Sequence, residues 1–216
     1  MVKMPKKPKI YHITHIQNLN NILNDKMLWS DSKRLEFGLD CEIVGMSEIK
    51  RRRLEELDVK CHSDTMVGEY VPFYFCPRSI MLYILYMGNH PDLSYRGGQG
   101  PILHLQADLE TAIQWANEKN IRWAFSDINA GTRAAQFYDD LSQLNDVINW
   151  SAVEATDWCD AAIQEYKQAE FLIYESFPLG FVEKIGVCNN RIRDRVIDKL
   201  GDTPSLEVSV EKEWYY

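Results

Sequence analysis

The sequence contains no apolar run that approaches the roughly 20 residues needed to span a bilayer. Its first ten residues, MVKMPKKPKI, also lack the continuous apolar stretch of a secretory signal. The five cysteines are widely spaced and form no CxxC pair, and the five histidines form no HExxH motif, so neither a disulfide framework nor a zinc site is indicated. We therefore expect a cytoplasmic protein with reduced thiols, no bound metal and no membrane partner.

Positive charge is also scarce, because 24 lysines and arginines stand against 32 acidic residues and leave a net charge of -8 at pH 7. Affinity for DNA comes largely from cations that displace phosphate counterions, so this balance argues against a protein that coats nucleic acid. Local basic clusters remain at residues 3–9, 50–53 and 191–195, and each is either a solvated surface or a contact for phosphate. Any binding of DNA is expected to be local and sensitive to salt.

The sequence has enough hydrophobic residues, 45 % of its 216, to form one buried core. We therefore expect a single domain over 1–216. Strands and helices follow one another without strict βαβ alternation, which favours an α+β fold with a mixed or antiparallel sheet and flanking helices. The periodicity predicts strands at 9–14, 71–75, 102–105, 170–176, 182–187 and 206–210, and helices at 16–23, 47–57, 79–87, 109–116 and 191–200.

Two segments stand apart from this pattern. Residues 1–9 form a basic tail, and from 121 to 169 the periodicity blurs into short helical pieces among polar turns rich in Trp, Asp and Asn. The second segment is predicted to be a long excursion over one side of the domain, and such excursions commonly carry binding residues.

A carboxylate stands at the edge of the apolar run AEFLIYESFP, where Glu170 begins a predicted strand. Alternation puts Phe171 and Ile173 on one face of this strand and Glu170 on the other. Burying a charge costs free energy unless the charge is paired, so a carboxylate on a half-buried strand has to be explained. Two interpretations stay open from the residues alone: a structural ion pair with a nearby basic residue, or a functional carboxylate in a cleft.

Several longer segments, taken in order, resemble one family. They are YHIT at 11–14, GMSEIKRRR at 45–53, YVPFYFCPRSIMLY at 70–83, FSDINA at 125–130, NWSAVEATDW at 149–158 and QAEFLIYESFP at 168–178. From about Ile10 to Val187 the chain resembles the DarT family of DNA ADP-ribosyltransferase toxins.

This resemblance implies an ADP-ribosyltransferase fold with a split β-sheet, NAD held in the cleft as co-substrate, and no metal. It implies transfer of ADP-ribose to a base of single-stranded DNA, most often thymine, in a preferred short sequence, so that replication is blocked. A macrodomain antitoxin of the DarG type is implied as a partner. Whether the acceptor base is thymine or guanine stays open.

The resemblance also assigns roles to individual residues. Glu170 matches the family's catalytic glutamate, and Arg52 and Arg53 match the basic end of a stretch near the NAD phosphates and the reacting base. Arg53 is favoured as the inward-pointing residue, although three consecutive arginines leave the register open. The residues expected to hold NAD are His12, Ile13, Thr14, Asn21, Tyr74, Arg78, Met81 and Tyr83. Ordinary core packing is the alternative for His12, Met81 and Tyr83.

The excursion supplies the expected DNA contacts, because cations bind phosphate and aromatic rings stack on unpaired bases. Arg122, Arg133 and Tyr138 are the residues assigned to DNA. Two other functions remain open from the sequence: an ADP-ribosyltransferase that acts on RNA or protein, and a non-catalytic module that binds NAD or DNA.

Overall fold

The computed structural model describes residues 3–201 and 206–216. Met1 and Val2, at the start of the predicted basic tail, lie outside the described residues. The described strands are β1 (Lys9–His15), β2 (Met27–Trp29), β3 (Tyr70–Tyr74), β4 (Ile102–Asp108), β5 (Trp123–Ser126), β6 (Phe137–Tyr138), β7 (Glu170–Tyr174), β8 (Ser176–Pro178), β9 (Val182–Val187) and β10 (Glu207–Val210). The described α-helices are α1 (Leu19–Asp25), α2 (Asp31–Glu36), α3 (Ser47–Glu55), α4 (Ile80–Met87), α5 (Leu109–Glu118), α6 (Leu144–Val147), α7 (Trp150–Glu154), α8 (Ala161–Tyr166) and α9 (Asn190–Leu200).

Eight strands form one sheet in the order β10-β9-β4-β1-β3-β7-β5-β6, and β2 pairs with β8 in a separate ribbon. Neighbouring strands of the large sheet run antiparallel, except for β9 and β10, which are parallel. This arrangement confirms the predicted α+β fold with a mixed, mostly antiparallel sheet and flanking helices. Within the described ranges, no helix is both long and apolar enough to cross a membrane.

The sheet opens between β1 and β3. β1 pairs with β4 over its whole length, from Lys9 to His15, whereas β1 and β3 share one register pair, Tyr11 with Tyr74. Pro72 explains the weak pairing, because a proline in β3 has no N–H to donate. Its carbonyl oxygen instead accepts a hydrogen bond from His12 Nδ1 at 2.8 Å. The two halves of the sheet therefore diverge beyond Tyr11 and leave a cleft between them.

Apolar side chains on both faces of the sheet hold these strands. Phe171 and Ile173 of β7 are fully buried in the main cluster with Phe73, while Leu172 points the other way into a second cluster. This alternation follows the pattern read from the sequence. It leaves Glu170 on the face of Leu172, at the end of the strand.

The structure differs from the sequence prediction in the segment from 121 to 169. Trp123–Ser126 is a strand of the large sheet, paired with β7, and not part of a surface excursion. All four of its residues are buried, so the strand has no polar alternation by which periodicity could detect it. The predicted basic tail also ends earlier, because Lys9 already belongs to β1 and pairs with Asp108 and Glu183.

Candidate active site

A cavity occupies the cleft where β1 and β3 diverge. Its walls come from both strands, from helices α2 and α3, and from the turn that follows β5. Gly68 lets α3 approach β3, because a Cβ at this position would lie 2.9 Å from the Cα of Leu54. Residues that line the cavity include His12, Ile13, Thr14, Asn21, Asp31, Arg34, Lys50, Arg53, Tyr70, Tyr74, Met81, Asn129 and Gln168.

Glu170 does not line this cavity itself: it has no exposed surface, and it bonds to Arg53, which does line the cavity. Its Oε2 accepts a hydrogen bond from Arg53 Nη2 at 2.7 Å, and its Oε1 accepts one from the backbone N–H of Ala130 at 3.1 Å. The backbone N–H of Glu170 donates to Ser126 Oγ at 3.1 Å. The carboxylate is thus fixed by one guanidinium and one amide, as a buried charge requires.

Only one of the three consecutive arginines of α3 reaches this carboxylate, because successive helical residues point about 100° apart. Arg52 donates to the carbonyl of Gly131 at 3.1 Å, and Arg51 is exposed and bound to Glu48 and other surface glutamates. Burial lowers the pKa of Arg53, but the adjacent Glu170 more than offsets this effect and raises it. Arg53 therefore keeps its charge inside the cleft.

The turn after β5 aims the Ala130 N–H at Glu170. Asn129 Oδ1 accepts from the N–H of Gly131 at 2.7 Å, and Asn129 Nδ2 donates to Gln168 Oε1 at 3.0 Å. A Cβ on Gly131 would lie 2.8 Å from Asn129 Oδ1 and 2.9 Å from Ile49 Cγ2, so the turn leaves no room for a side chain there. Sequence reasoning noted FSDINA as a motif but gave its residues no role.

A second group of charges lines the wall formed by α2 and α3. Asp31 Oδ1 lies 2.8 Å from Lys50 Nζ and 2.8 Å from Arg34 Nη1. Burial alone would raise the pKa of Asp31, but Lys50 and Arg34 outweigh burial and lower it. Together with Arg53, this wall carries three cations, of which Arg34 and Lys50 are paired with Asp31 and Arg53 with Glu170. Sequence reasoning missed Asp31 and Arg34, because nothing in the sequence connects α2 with α3 in space.

The side chains on the strand wall are neutral. Burial lowers the pKa of His12, and the bond to the Pro72 carbonyl requires the proton to sit on Nδ1. Burial, and after it the charge of Glu170, raises the pKa of Tyr74. Thr14 Oγ1 accepts from Asn18 at 3.1 Å, and Asn21 Nδ2 donates to the carbonyl of Asp40 at 2.7 Å. The wall of α2 and α3 therefore carries cations paired with carboxylates, and the strand wall carries neutral donors and acceptors.

The profile of the family described as "ssDNA thymidine ADP-ribosyltransferase, DarT" matches residues 11–216. The chain belongs to the DarT family. A DNA ADP-ribosyl transferase of Thermus sp. (strain 2.9) is 37 % identical over 155 residues, which cover 70 % of this chain and 70 % of that protein. Membership confirms the resemblance seen in the motifs and the enzyme class that it implied.

Solved structures of Thermus sp. 2.9 DarT are similar to this chain over its whole length. The complex with ADP-ribosylated ssDNA superposes with a TM-score of 0.87 at 34 % identity and covers 100 % of both chains. The complex with NAD+ gives a TM-score of 0.78 at 33 % identity and covers 98 % of this chain and 99 % of that one. The fold implied by the resemblance is thereby confirmed as a DarT fold.

Two residues assigned to NAD from the sequence lie outside the cavity of this DarT chain. Met81 lines it, but Tyr83, two residues later, points about 200° away around α4 and packs against Trp158 and Tyr216. Arg78 precedes the helix and places its Cζ 4.4 Å from the ring centroid of Tyr216. Arg78 and Tyr83 were assigned to NAD because they belong to the same motif as Met81. In the structure, the start of α4 turns both side chains toward another surface.

The residues assigned to DNA also lie away from the cavity. Arg122 is bound to Asp64 at 3.0 Å, and Arg133 is 79 % exposed and lies 3.2 Å from Glu56. Tyr138, on the edge strand β6, stacks against Phe125 with ring centroids 5.4 Å apart. Their assignment to DNA stays a prediction.

One trio of possible metal ligands occurs among the described residues, outside the cavity. Ligand atoms of Cys61, His62 and Asp139 lie within 4.8 Å of one another. Burial, and after it Asp139, raises the pKa of the Cys61 thiol to about 11, so the thiol stays protonated near neutral pH. His62 Nε2 donates a hydrogen bond to the Trp123 carbonyl oxygen at 3.1 Å. That the reaction needs no metal stays a prediction.

Proposed function

We propose that this chain transfers ADP-ribose from NAD to thymine in single-stranded DNA, with Glu170 as the catalytic carboxylate, and that it acts in the cytoplasm as a toxin that blocks replication. The observation that carries the proposal is the buried Glu170 carboxylate, held by the Ala130 N–H and by Arg53, which lines the cleft. The NAD+ and ADP-ribosylated ssDNA complexes of Thermus sp. 2.9 DarT support both substrates.

The chemistry explains why one carboxylate suffices. When the bond between nicotinamide and ribose breaks, its electron pair leaves with nicotinamide, which departs neutral and needs no acid to protonate it, unlike the leaving group of a glycosidase. Positive charge develops on the ribose, and a fixed carboxylate stabilises that charge. A ring nitrogen of the base then bonds to the ribose carbon, and its proton passes to water or to the Glu170 carboxylate. Each carboxylate oxygen has two lone pairs. Among the described residues, Oε1 of Glu170 accepts from Arg53 Nη1 and from the Ala130 N–H, but Oε2 accepts only from Arg53 Nη2 and retains a lone pair for a ribose hydroxyl.

The two walls of the cavity suit the two ends of NAD. Arg34, Lys50 and Arg53 offer cations for the pyrophosphate, and Arg binds phosphate through its planar fork. His12 and Thr14 lie on the opposite strand wall, and the family resemblance implies that they bind nicotinamide and its ribose. Arg53 then joins the two ends, because it touches Glu170 and lines the cavity.

Single strands suit this transfer, because the thymine ring nitrogen is paired in a duplex and free outside one. Intact-mass spectrometry of oligonucleotides incubated with the protein and NAD tests the proposal, with matched single strands that contain or lack thymine, the duplex, an RNA strand and added protein. We expect one ADP-ribose on the thymine-containing single strand alone. An adduct on RNA or protein and none on DNA would contradict it.

A macrodomain antitoxin of the DarG type is proposed as the partner of this toxin on the strength of the family resemblance. Co-expression with such a macrodomain is expected to restore growth to cells that produce the protein. Growth that stays arrested, with the adduct still present on genomic DNA, would contradict this pairing.

A further inference from the structure

Lys167 is a buried lysine three residues before Glu170, in the segment that leads into β7. It is 2 % exposed. A charged side chain is rarely buried unless its charge is paired or hydrogen-bonded, because taking it out of water costs free energy. No step of the proposed reaction uses this lysine, so its burial has to be explained by what it contacts.

The ammonium group of Lys167 binds the end of helix α7. Its Nζ donates to the carbonyl oxygens of Val153 at 2.7 Å, Ala155 at 2.9 Å and Ala152 at 3.4 Å. The last carbonyls of a helix have no partner within the helix and carry partial negative charge, so a cation stabilises them. Three acceptors also match the three hydrogens of an ammonium group. The end of α7 is therefore tied to the segment that enters β7.

A second contact joins Lys167 to the same part of the chain. Its Nζ lies 5.3 Å from the centroid of the Trp158 ring, within the range of a cation–π interaction. Helix α7 and Trp158 both lie between β6 and β7, where the chain forms short helices and turns. Lys167 therefore anchors this irregular part of the chain beside the strand that carries Glu170.

Two short links lead from Lys167 to the proposed catalytic carboxylate. Along the backbone, two residues separate it from Glu170, which limits the distance between the two Cα atoms to about 11 Å. Through side chains, Gln168 Oε1 accepts from Asn129 Nδ2 at 3.0 Å, and Asn129 orders the turn that aims the Ala130 N–H at Glu170. A shift of Lys167 would therefore move both the carboxylate and the amide that holds it.

We propose that Lys167 is a positioning residue for the transfer of ADP-ribose. By binding the end of α7 it fixes the start of β7, so that Glu170 keeps its geometry toward Arg53 and the Ala130 N–H. A misplacement of about 1 Å at a catalytic group can cost about a hundredfold in rate. Lys167 does not line the cavity proposed for NAD, so it acts on the rate of transfer and not on NAD binding. This inference rests on the proposed function.

Steady-state kinetics of adduct formation, followed by mass spectrometry, tests this role with Lys167→Met, which keeps an apolar stem and removes the ammonium group. Rates are divided by the folded fraction, measured by circular dichroism, so that a loss of stability alone does not count. We expect kcat to fall at least about tenfold, with the KM for NAD within about twofold of the wild type. Lys119→Met is the matched control, because Lys119 is exposed at the end of α5, and it is expected to match the wild type.

Two further variants distinguish positioning from a purely structural role. Lys167→Gln keeps an N–H donor, so its kcat is expected to lie between those of the wild type and Lys167→Met. It carries the test if Lys167→Met does not fold. In a Glu170→Gln background, Lys167→Met is expected to cause no further loss, because Lys167 acts through that carboxylate.

A wild-type kcat in the folded Lys167 variants overturns the inference, and so does a loss that adds in full to that of Glu170→Gln. A change confined to the KM for NAD does the same. If the wild type itself forms no adduct on DNA, it is the proposed function that fails. The same variants are then compared by the release of nicotinamide from NAD, and the same outcomes decide the role of Lys167.

Discussion

The Glu170–Arg53 pair is expected to be strongly coupled in stability. Arg53→Met leaves a buried carboxylate without its cation, and Glu170→Gln leaves a buried guanidinium without its anion, each at a cost of about 3–5 kcal/mol. The double variant is expected to lose at least about 1 kcal/mol less than the sum of the two. Urea unfolding of all four proteins measures this coupling, and Arg51→Met is the exposed control. Additive losses would contradict a direct pair.

The positions of Glu170 and Arg53 also show what a sequence reveals about a buried charge. An acid in an apolar strand is visible as an anomaly, so Glu170 stood out. Its partner lies 117 residues away, and only the family resemblance and the spacing of α3 pointed to Arg53. The Ala130 N–H was not predictable, because any residue type can supply a backbone donor.

Asp31 gives a prediction that depends on pH. Because its pKa is lowered in the folded protein, its carboxylate adds stability above the ordinary pKa of an aspartate, and this stability disappears as the pH falls through the lowered value. Asp31→Asn should therefore be less stable than the wild type at pH 7, by about 1 kcal/mol, with the gap closing below about pH 4. Urea unfolding over this range decides it, and a gap that persists in acid would contradict the ion pairs.

At the scale of elements, the strands that carry His12, Tyr74 and Glu170 were predictable, whereas β5, whose following turn holds Glu170, was not. β1, β3, β7 and β9 each fall within one or two residues of their predicted bounds. β5 escaped detection because it is four residues long and buried on both faces. The opening of the sheet could not be predicted either, since it depends on whether the nitrogen of Pro72, which has no N–H, faces β1 or β7.

The turn after β5 is expected to tolerate no side chain at Gly131. Gly131→Ala would force Asn129 or Ile49 to move and shift the Ala130 N–H away from Glu170, so we expect transfer to fall at least about tenfold. Gly180→Ala is the matched control, because a Cβ there meets nothing within 4 Å. The rate of adduct formation at saturating NAD measures the effect. Equal rates in both variants would contradict this role of the turn.

At the scale of the whole molecule, His104 links the sheet to the C-terminal residues. It is fully buried in β4, its Nε2 lies 2.9 Å from the Pro77 carbonyl, and its ring packs edge-on against Tyr215. Burial lowers its pKa to about 4, so the folded protein holds this imidazole neutral where an unfolded chain takes up a proton.

This histidine predicts a loss of stability in mild acid. The unfolded state binds the proton near pH 6.5 and the folded state only near pH 4, so stability falls as the pH drops between these values, by up to about 1.4 kcal/mol per unit. Burial of His12 acts in the same direction. His104→Gln is expected to flatten the pH dependence of the unfolding free energy. An unchanged slope would show that the burial of His104 is not its cause.

The central claim is that the buried Glu170 carboxylate stabilises the charge on the ribose during transfer to single-stranded DNA. The most direct test compares the rate of adduct formation, by mass spectrometry, for the wild type, Glu170→Gln and Glu165→Gln, an exposed glutamate on α8. We predict that Glu170→Gln loses transfer by at least about a hundredfold while its fold is retained, and that Glu165→Gln matches the wild type. A folded Glu170→Gln protein that modifies DNA at the wild-type rate would contradict the claim.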